Sequence, residues 1–162
     1  MKNIRYILLA LIVSVLYSCE TYSDQEQEHT AIGKMSGEWL SNVYEDDDST
    51  LAVNGLFALR TYNTTSNDVN KAWMKLGSTQ IVALLGKVDV DVAQRTFSGT
   101  TIANEAKAGN TFTILEAKVM LDAATTETGI KADSIYVRYT TSVNNKTYIV
   151  RGHRTTQWTQ FE

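Results

Sequence analysis

A chain of 162 residues with 43% hydrophobic and 20% charged residues has room for one domain of ordinary globular composition, which excludes a disordered or collagen-like polymer. A net charge of −3 and a pI near 5.4 argue against the basic face that nucleic-acid binding needs. The sequence holds no proline, one cysteine and 21 threonines, and a single cysteine neither closes a disulfide within the chain nor supplies a zinc site alone.

At the amino end, Lys2 and Arg5 precede an apolar run from Ile7 to Leu16, and Leu16-Tyr17-Ser18-Cys19 closes it with a small residue before the only cysteine. This resembles a bacterial lipoprotein signal, in which the cysteine thiol takes a diacylglyceryl group and cleavage leaves that residue first; Tyr17 is bulkier than the residue usual at its place. The run of ten residues is far short of the roughly 20 that span a bilayer as a helix, so a retained transmembrane helix is disfavoured. Two or three acyl chains anchor stably where one does not. The alternative is an ordinary secretory signal that leaves Cys19 as a spare thiol. Loss of residues 1–18 leaves 13 basic against 18 acidic residues, a net charge of −5. Residues 20–30 are polar, acidic and aperiodic, the pattern of a flexible tether. Acidic residues just after such a cysteine also resemble the surface-export signal of Bacteroidetes lipoproteins. The expected division is a signal at 1–18, an acidic tether with lipidated Cys19 at 19–34, and a domain at 35–162. The expected address is the bacterial envelope, on an outer membrane, facing periplasm or cell surface.

From Gly37 onward the dominant hydrophobic period is two. Val88, Val90 and Val92 alternate with Lys87, Asp89 and Asp91, and Leu115, Ala117, Val119 and Leu121 alternate with Glu116, Lys118 and Met120. Each pattern predicts a strand with one buried face. Further strands are expected over 38–44, 56–64, 71–76, 81–85, 95–102, 134–141 and 146–155. Turn signals punctuate them, of which Asn144-Asn145 is the clearest, because asparagine tolerates the positive φ of a tight hairpin. Eight or nine short antiparallel strands leave a sandwich or a closed barrel. The closed up-and-down barrel of about eight strands is preferred, because closure removes edge strands that a chain without proline does not block.

Gly37-Glu38-Trp39 at the start of such a meander resembles the first-strand signature of lipocalin and calycin barrels. That resemblance implies that Trp39 plugs the closed end with an arginine of the last strand, Arg151 or Arg154, packed over its face. A wider resemblance rests on Gly37-Glu38-Trp39, on Thr61-Tyr62-Asn63-Thr64 with Asn67-Asp68 and Trp73, and on the closing pair Tyr136-Val137-Arg138-Tyr139 and Tyr148-Ile149-Val150-Arg151-Gly152-His153. Those segments are similar to the Bacteroidetes lipid-binding, hydrolase-labelled family of small lipoproteins with a calycin-like barrel. The resemblance implies lipid binding and a hydrolase label without a catalytic motif to carry over.

The residues themselves favour binding over catalysis. No G-x-S-x-G string occurs, and of the two histidines His29 lies in the tether, which leaves His153 as the one weak candidate base, with a serine and Asp133 or Asp89. No H-x-H, H-E-x-x-H or C-x-x-C spacing is present, so neither a metal site nor a cofactor is expected. Glu45 to Asp48 lacks the alternation and glycine of a calcium loop and reads as a solvated turn. Tyr62 and Trp73 are the candidates to line a cavity, with Arg60 or Arg138 placed to meet a carboxylate or phosphate head group. Three functions are therefore weighed: an anchored module binding a lipid or other small amphipathic molecule, a lipid-ester hydrolase, and a scaffold subunit of a surface assembly. Asp48-Ser49-Thr50 and Asp133-Ser134-Ile135 also resemble a three-residue O-glycosylation signal. If Cys19 is the anchor, Cys19→Ala abolishes acylation and membrane retention, as read from the mass of the N-terminal peptide and from membrane fractionation; full retention of the variant would refute the assignment.

Overall fold

The computed structural model describes residues 30–47, 50–77, 79–126 and 129–155. The signal segment, Cys19 and tether residues 20–29 lie outside the described residues, as does the Asp48-Ser49 part of the first glycosylation-like string. Eight strands follow one another: β1 (Gly37–Glu45), β2 (Leu51–Asn63), β3 (Lys71–Leu76), β4 (Leu84–Asp91), β5 (Thr96–Ala103), β6 (Thr111–Thr125), β7 (Lys131–Thr141) and β8 (Lys146–Arg154). Each pairs antiparallel with the next, and β8 returns to pair with β1, so the sheet is a closed up-and-down barrel. The β2–β3, β4–β5 and β6–β7 connections lie at one end, the base, where Thr30 also enters; the other four connections form the apex.

Alternation along the strands sets inside from outside. Trp39 and Val43, Leu59 and Thr61, Ala72 and Met74, Val88 and Val90, Val137 and Tyr139, and Tyr148 and Val150 point inward and are buried, while Lys87, Asp89 and Asp91 face water. Across the β7–β8 turn Asn145 takes φ 57, the left-handed conformation that its short polar side chain tolerates.

Two strand readings are corrected. In β6 only Ala117 and Val119 of the expected apolar face are inside, whereas Leu115 and Leu121 are exposed at 49% and 45%. Register shifts lie between Ile114 and Glu116 and between Met120 and Ala124; the first sets one extra residue on β6 and so moves the residues after it to the other face, and Leu121 lies within the second. Phe112 and Ile114 fill the interior upstream instead. The expected strand at 81–85 is absent as such: Ile81 to Ala83 cross the apex, and β4 begins at Leu84.

Both ends are plugged. At the apex Tyr139 Oη donates to the Val82 carbonyl at 2.5 Å, and Asn104 donates to Ala83 O at 3.0 Å while accepting from the Leu85 amide at 3.0 Å. Burial, with Tyr148 nearby, holds the Tyr139 phenol well above its ordinary 10.0. Its ionisation in the unfolded chain therefore removes stability as pH rises past that ordinary value. At the base a 3-10 turn, Gly33–Met35, seats Ile32 and Met35 with 0% exposure. Trp39 Nε1 donates to Thr61 Oγ1 at 3.0 Å, and Thr61 Oγ1 donates to Met35 O at 2.6 Å. Ile32, which falls in the expected tether, packs into the core together with Met35, the first residue of the expected domain.

The closing seam is tight at Gly152. A β-carbon there would lie 2.6 Å from Leu40 O and 2.6 Å from Ser41 Cβ, and backbone on the facing strand cannot swing aside. Gly152→Ala should lower stability by about 1–3 kcal/mol, the usual cost of overpacking, measured by urea denaturation. An unchanged midpoint would show that the seam opens freely.

Candidate functional site

The barrel interior is occupied by its own side chains. Trp39, Leu59, Met74, Val88, Val137, Tyr139 and Val150, contributed by six of the strands, are at 0% exposure. No water-sized space touches them. This suits an eight-stranded barrel, whose interior is just wide enough for side chains to fill.

Tyr62 and Trp73, expected to line a cavity, lie on the outer wall, and Arg60 and Arg138 lie on the outer wall as well. Tyr62 and Trp73 are cross-strand partners on β2 and β3, with ring centroids 6.5 Å apart and planes inclined by 18°. Lys87 Nζ stands 5.3 Å from the Trp73 ring. Arg60 Nε donates to Glu38 Oε2 at 2.6 Å. Arg138 lies on β7, far round the wall, and grips Asp46 with Nε at 2.6 Å and Nη2 at 2.9 Å. That pairing holds the Asp46 carboxyl below its ordinary 3.8 and raises the guanidinium of Arg138. Arg60, Tyr62 and Trp73 share one patch; Arg138 does not join it.

Of the two arginines expected near Trp39, Arg154 makes the contact, its Cζ 4.6 Å from the ring centroid. It also donates to Ser36 O at 2.9 Å and Lys34 O at 3.0 Å, and its Nε lies 3.2 Å from Asp133 Oδ2 at an angle that falls short of a hydrogen bond. One guanidinium thus fastens the basal turn to the last strand. Arg151 is on the opposite face of β8, with its Cζ 5.8 Å from the Tyr136 ring.

Among the described residues, two of the surface hollows are amphipathic or basal. The first, about 280 Å³, lies on the outer wall of β6, β7 and β8 and is lined by Lys118, Met120, Ser134, Ile135, Tyr136, Arg151 and Gly152. Lys118 Nζ is 5.6 Å from the same Tyr136 ring that Arg151 faces, so the ring has two cations beside it. Glu116 accepts from Lys118 at 2.8 Å, and its hydrogen bond and charge hold the ammonium above its ordinary 10.5. The cleft joins two cations, an aromatic ring and a thioether, the components of an amphipathic site. The second hollow, about 380 Å³, is at the base between Thr30, Ala31, Gly33, Lys34 and Val92.

His153 is not in the interior. Alternation puts it on the outer wall of β8, half-buried, opposite Ser134 on β7 and Leu40 on β1. Its Nε2 is shut off from water and has no hydrogen-bond partner among the described residues. Asp133 faces the other way, toward Arg154, and accepts from the Asp122 amide at 3.2 Å. Asp89 is taken by Lys71 Nζ at 2.5 Å on the far side of the barrel. Ser134 and His153 are therefore neighbours at the edge of the cleft, without the carboxylate that would orient the imidazole. Ser134 also sits within a paired strand, a poor place for an attached sugar. Among the described residues no group of three or more His, Cys, Asp or Glu is placed to hold a metal.

Lys118, Met120 and Tyr136 are not among the site residues expected from the sequence, and the basal turn has no signal there. The alternation of β7, with Ser134, Tyr136 and Arg138 on one face, was visible; the register that sets Tyr136 between Lys118 and Arg151 was not.

Fold and hollows together define a small closed antiparallel barrel with a filled interior and amphipathic surface clefts. The chain matches the family described as "Lipid-binding putative hydrolase" over residues 24–159, and it belongs to that family. No curated relative matches it. Lipid binding is the family's description, and both hollows described above lie on the outside of the barrel.

Loss of Arg154 removes two charge-assisted hydrogen bonds, each worth about 1.5–3 kcal/mol, and a ring contact of roughly 0.5–2 kcal/mol. Arg154→Ala should therefore destabilise the protein by a few kcal/mol in urea titration and shift Trp39 emission to the red. Arg151→Ala, on the wet face, should change stability by no more than about 0.5 kcal/mol. Equal effects of the two variants would contradict the plug.

Proposed function

We propose that the protein is a lipoprotein of the bacterial envelope, held through Cys19 on an outer membrane and facing periplasm or cell surface, whose barrel binds a lipid or similar small amphipathic molecule without hydrolysing it. The observation that carries this reading is the outer-wall cleft, set against an interior that is already full. Lys118 and Arg151 suit a carboxylate or phosphate head group, while the Tyr136 ring and Met120 suit the start of an acyl chain. The family description supports a lipid as the ligand.

A second reading, ester hydrolysis, draws on the cross-strand placement of Ser134 and His153. Binding is preferred because His153 Nε2 is unpartnered and Asp133 is committed to Arg154. The strand amides nearby are also spent in the ladders, so no pair of free donors awaits an oxyanion.

The test is the affinity of the purified chain for a fluorescent fatty acid, with native mass spectrometry for copurified lipid. Lys118→Ala and Arg151→Ala should each weaken binding about tenfold, the effect of losing one charge-assisted hydrogen bond of roughly 1.4 kcal/mol. Val137→Ala, which alters only the interior, should leave the affinity in place. Unchanged affinity in both cation variants would remove the cleft as the site. Cleavage of an ester panel that vanishes in both Ser134→Ala and His153→Ala would replace binding by hydrolysis.

A further inference from the structure

The base of the barrel differs from the apex in what leaves it. Thr30 enters there, with the Ala31 amide donating to Asn67 Oδ1 of the β2–β3 connection at 3.0 Å. Thr155 leaves there, its amide bound to Glu38 O at 2.9 Å. The chain that bears Cys19 and the chain that bears Trp158 and Phe161 are thus both continuous with the same end. From Cys19 to Thr30 a fully extended chain reaches at most about 40 Å, so an acylated Cys19 would keep this end close to its membrane.

The base is also furnished for that position. Val69 at the tip of the β2–β3 connection is 72% exposed, and Ile130 and Leu121 on the β6–β7 hairpin are 42% and 45% exposed. β5 pairs with β6 only as far as Lys118, and β8 pairs with β7 only from Ser134 onward. The hairpin therefore projects beyond both neighbours and carries Leu121 and Ile130 outward. At the same end lies the 380 Å³ basal hollow, lined by Ala31, Val92 and exposed Lys34 among others. Exposed apolar residues occur at the apex too, Leu56 and Ile81 among them, yet Thr30 and Thr155, from which the chain continues beyond the described residues, are both at the base.

We propose that the base is a membrane-docking face: Val69, Leu121 and Ile130 insert into the head-group layer of the leaflet that holds the anchor, and Lys34 meets lipid phosphate. The proposal rests on the lipid anchor proposed above. Tethering raises the effective concentration of the base at the bilayer, so shallow contacts of three side chains suffice to hold one orientation.

The experiment uses the full chain, purified from membranes and reconstituted in phosphatidylethanolamine and phosphatidylglycerol vesicles with or without brominated acyl chains. Variants with one cysteine added to Cys19 carry a nitrobenzoxadiazole label at the base (Val69→Cys, Ile130→Cys) or at the apex (Leu56→Cys, Ile81→Cys), and the variant without an added cysteine, labelled in parallel, gives the signal of any free Cys19 to be subtracted. Insertion to the acyl boundary should shift base emission to the blue and quench it by about twofold or more in brominated vesicles, with apex labels unaffected. Base and apex labels that behave alike overturn docking. So do base labels already shielded in detergent, which would mean that residues 156–162 or a second copy cover the face. The mass of the N-terminal peptide separates the two ideas. Unquenched base labels on an acylated, vesicle-bound chain defeat docking and leave the anchor standing, whereas quenched base labels on a chain without acyl mass defeat the anchor and leave docking. A chain without acyl mass that stays off vesicles defeats both.

Discussion

Pairing of β1 with β8 is the contact on which the rest of this molecule depends. Without it the sheet would have two long edges, β1 and β8, with unpaired backbone groups and no proline to block them. The seam runs from Trp39 opposite Arg154 to Glu45 opposite Tyr148. Its register sets the guanidinium over the indole, which in turn lets Arg154 reach the carbonyls of Lys34 and Ser36. Gly152 is the local condition for that approach, since a side chain there would collide with Leu40 and Ser41. A single pairing event thus closes the sheet, seals the base and docks the incoming chain.

Closure at eight strands also limits what the molecule can be. The interior cross-section is fixed by strand number and stagger, and large side chains such as Trp39, Met74, Phe112 and Tyr139 use it up. Small residues stand where large ones need room: Gly86 faces Phe112 and Ile102 so closely that a β-carbon would fall within 2.7–2.9 Å of neighbouring atoms. On the wall, alternation leaves Lys, Arg and Tyr side chains beside exposed Met and Leu. The lumen supplies stability, and in the function proposed above the outside supplies recognition.

The parts legible in the sequence are those governed by one strand at a time. Alternation in 88–91 and 134–141 marks inside and outside correctly because those stretches are regular. It fails in β6, where two bulges put Leu115 and Leu121 outside, since a bulge leaves no local signature in the residue pattern. The burial of Ile32 has no sequence signal, because the three-residue turn that follows it has no period to detect. Tyr62 and Trp73 suggested a cavity by residue type, yet their parity, opposite to Thr61 and Met74, already assigned them to the wall. Lys118, Tyr136 and Arg151 come from three strands, and only the register brings them together.

The positions of the cleft and the base are linked through the long β6–β7 hairpin. Lys118, Met120 and Ser134 are the residues at which this hairpin leaves the barrel wall, and Leu121 and Ile130 are on its free part. The amphipathic cleft therefore opens immediately beside the rim from which both chain ends depart, and not at mid-height or at the apex. With that rim turned to a bilayer, an acyl chain entering past Met120 would leave the membrane and meet Tyr136 and Arg151 without crossing open water. The order of side chains along this route, apolar at the rim and cationic further in, matches a lipid drawn partway out by its head. A barrel with a filled interior can handle a lipid in this manner because only the head and the first part of the chain need a protein surface, while the remainder stays in the membrane.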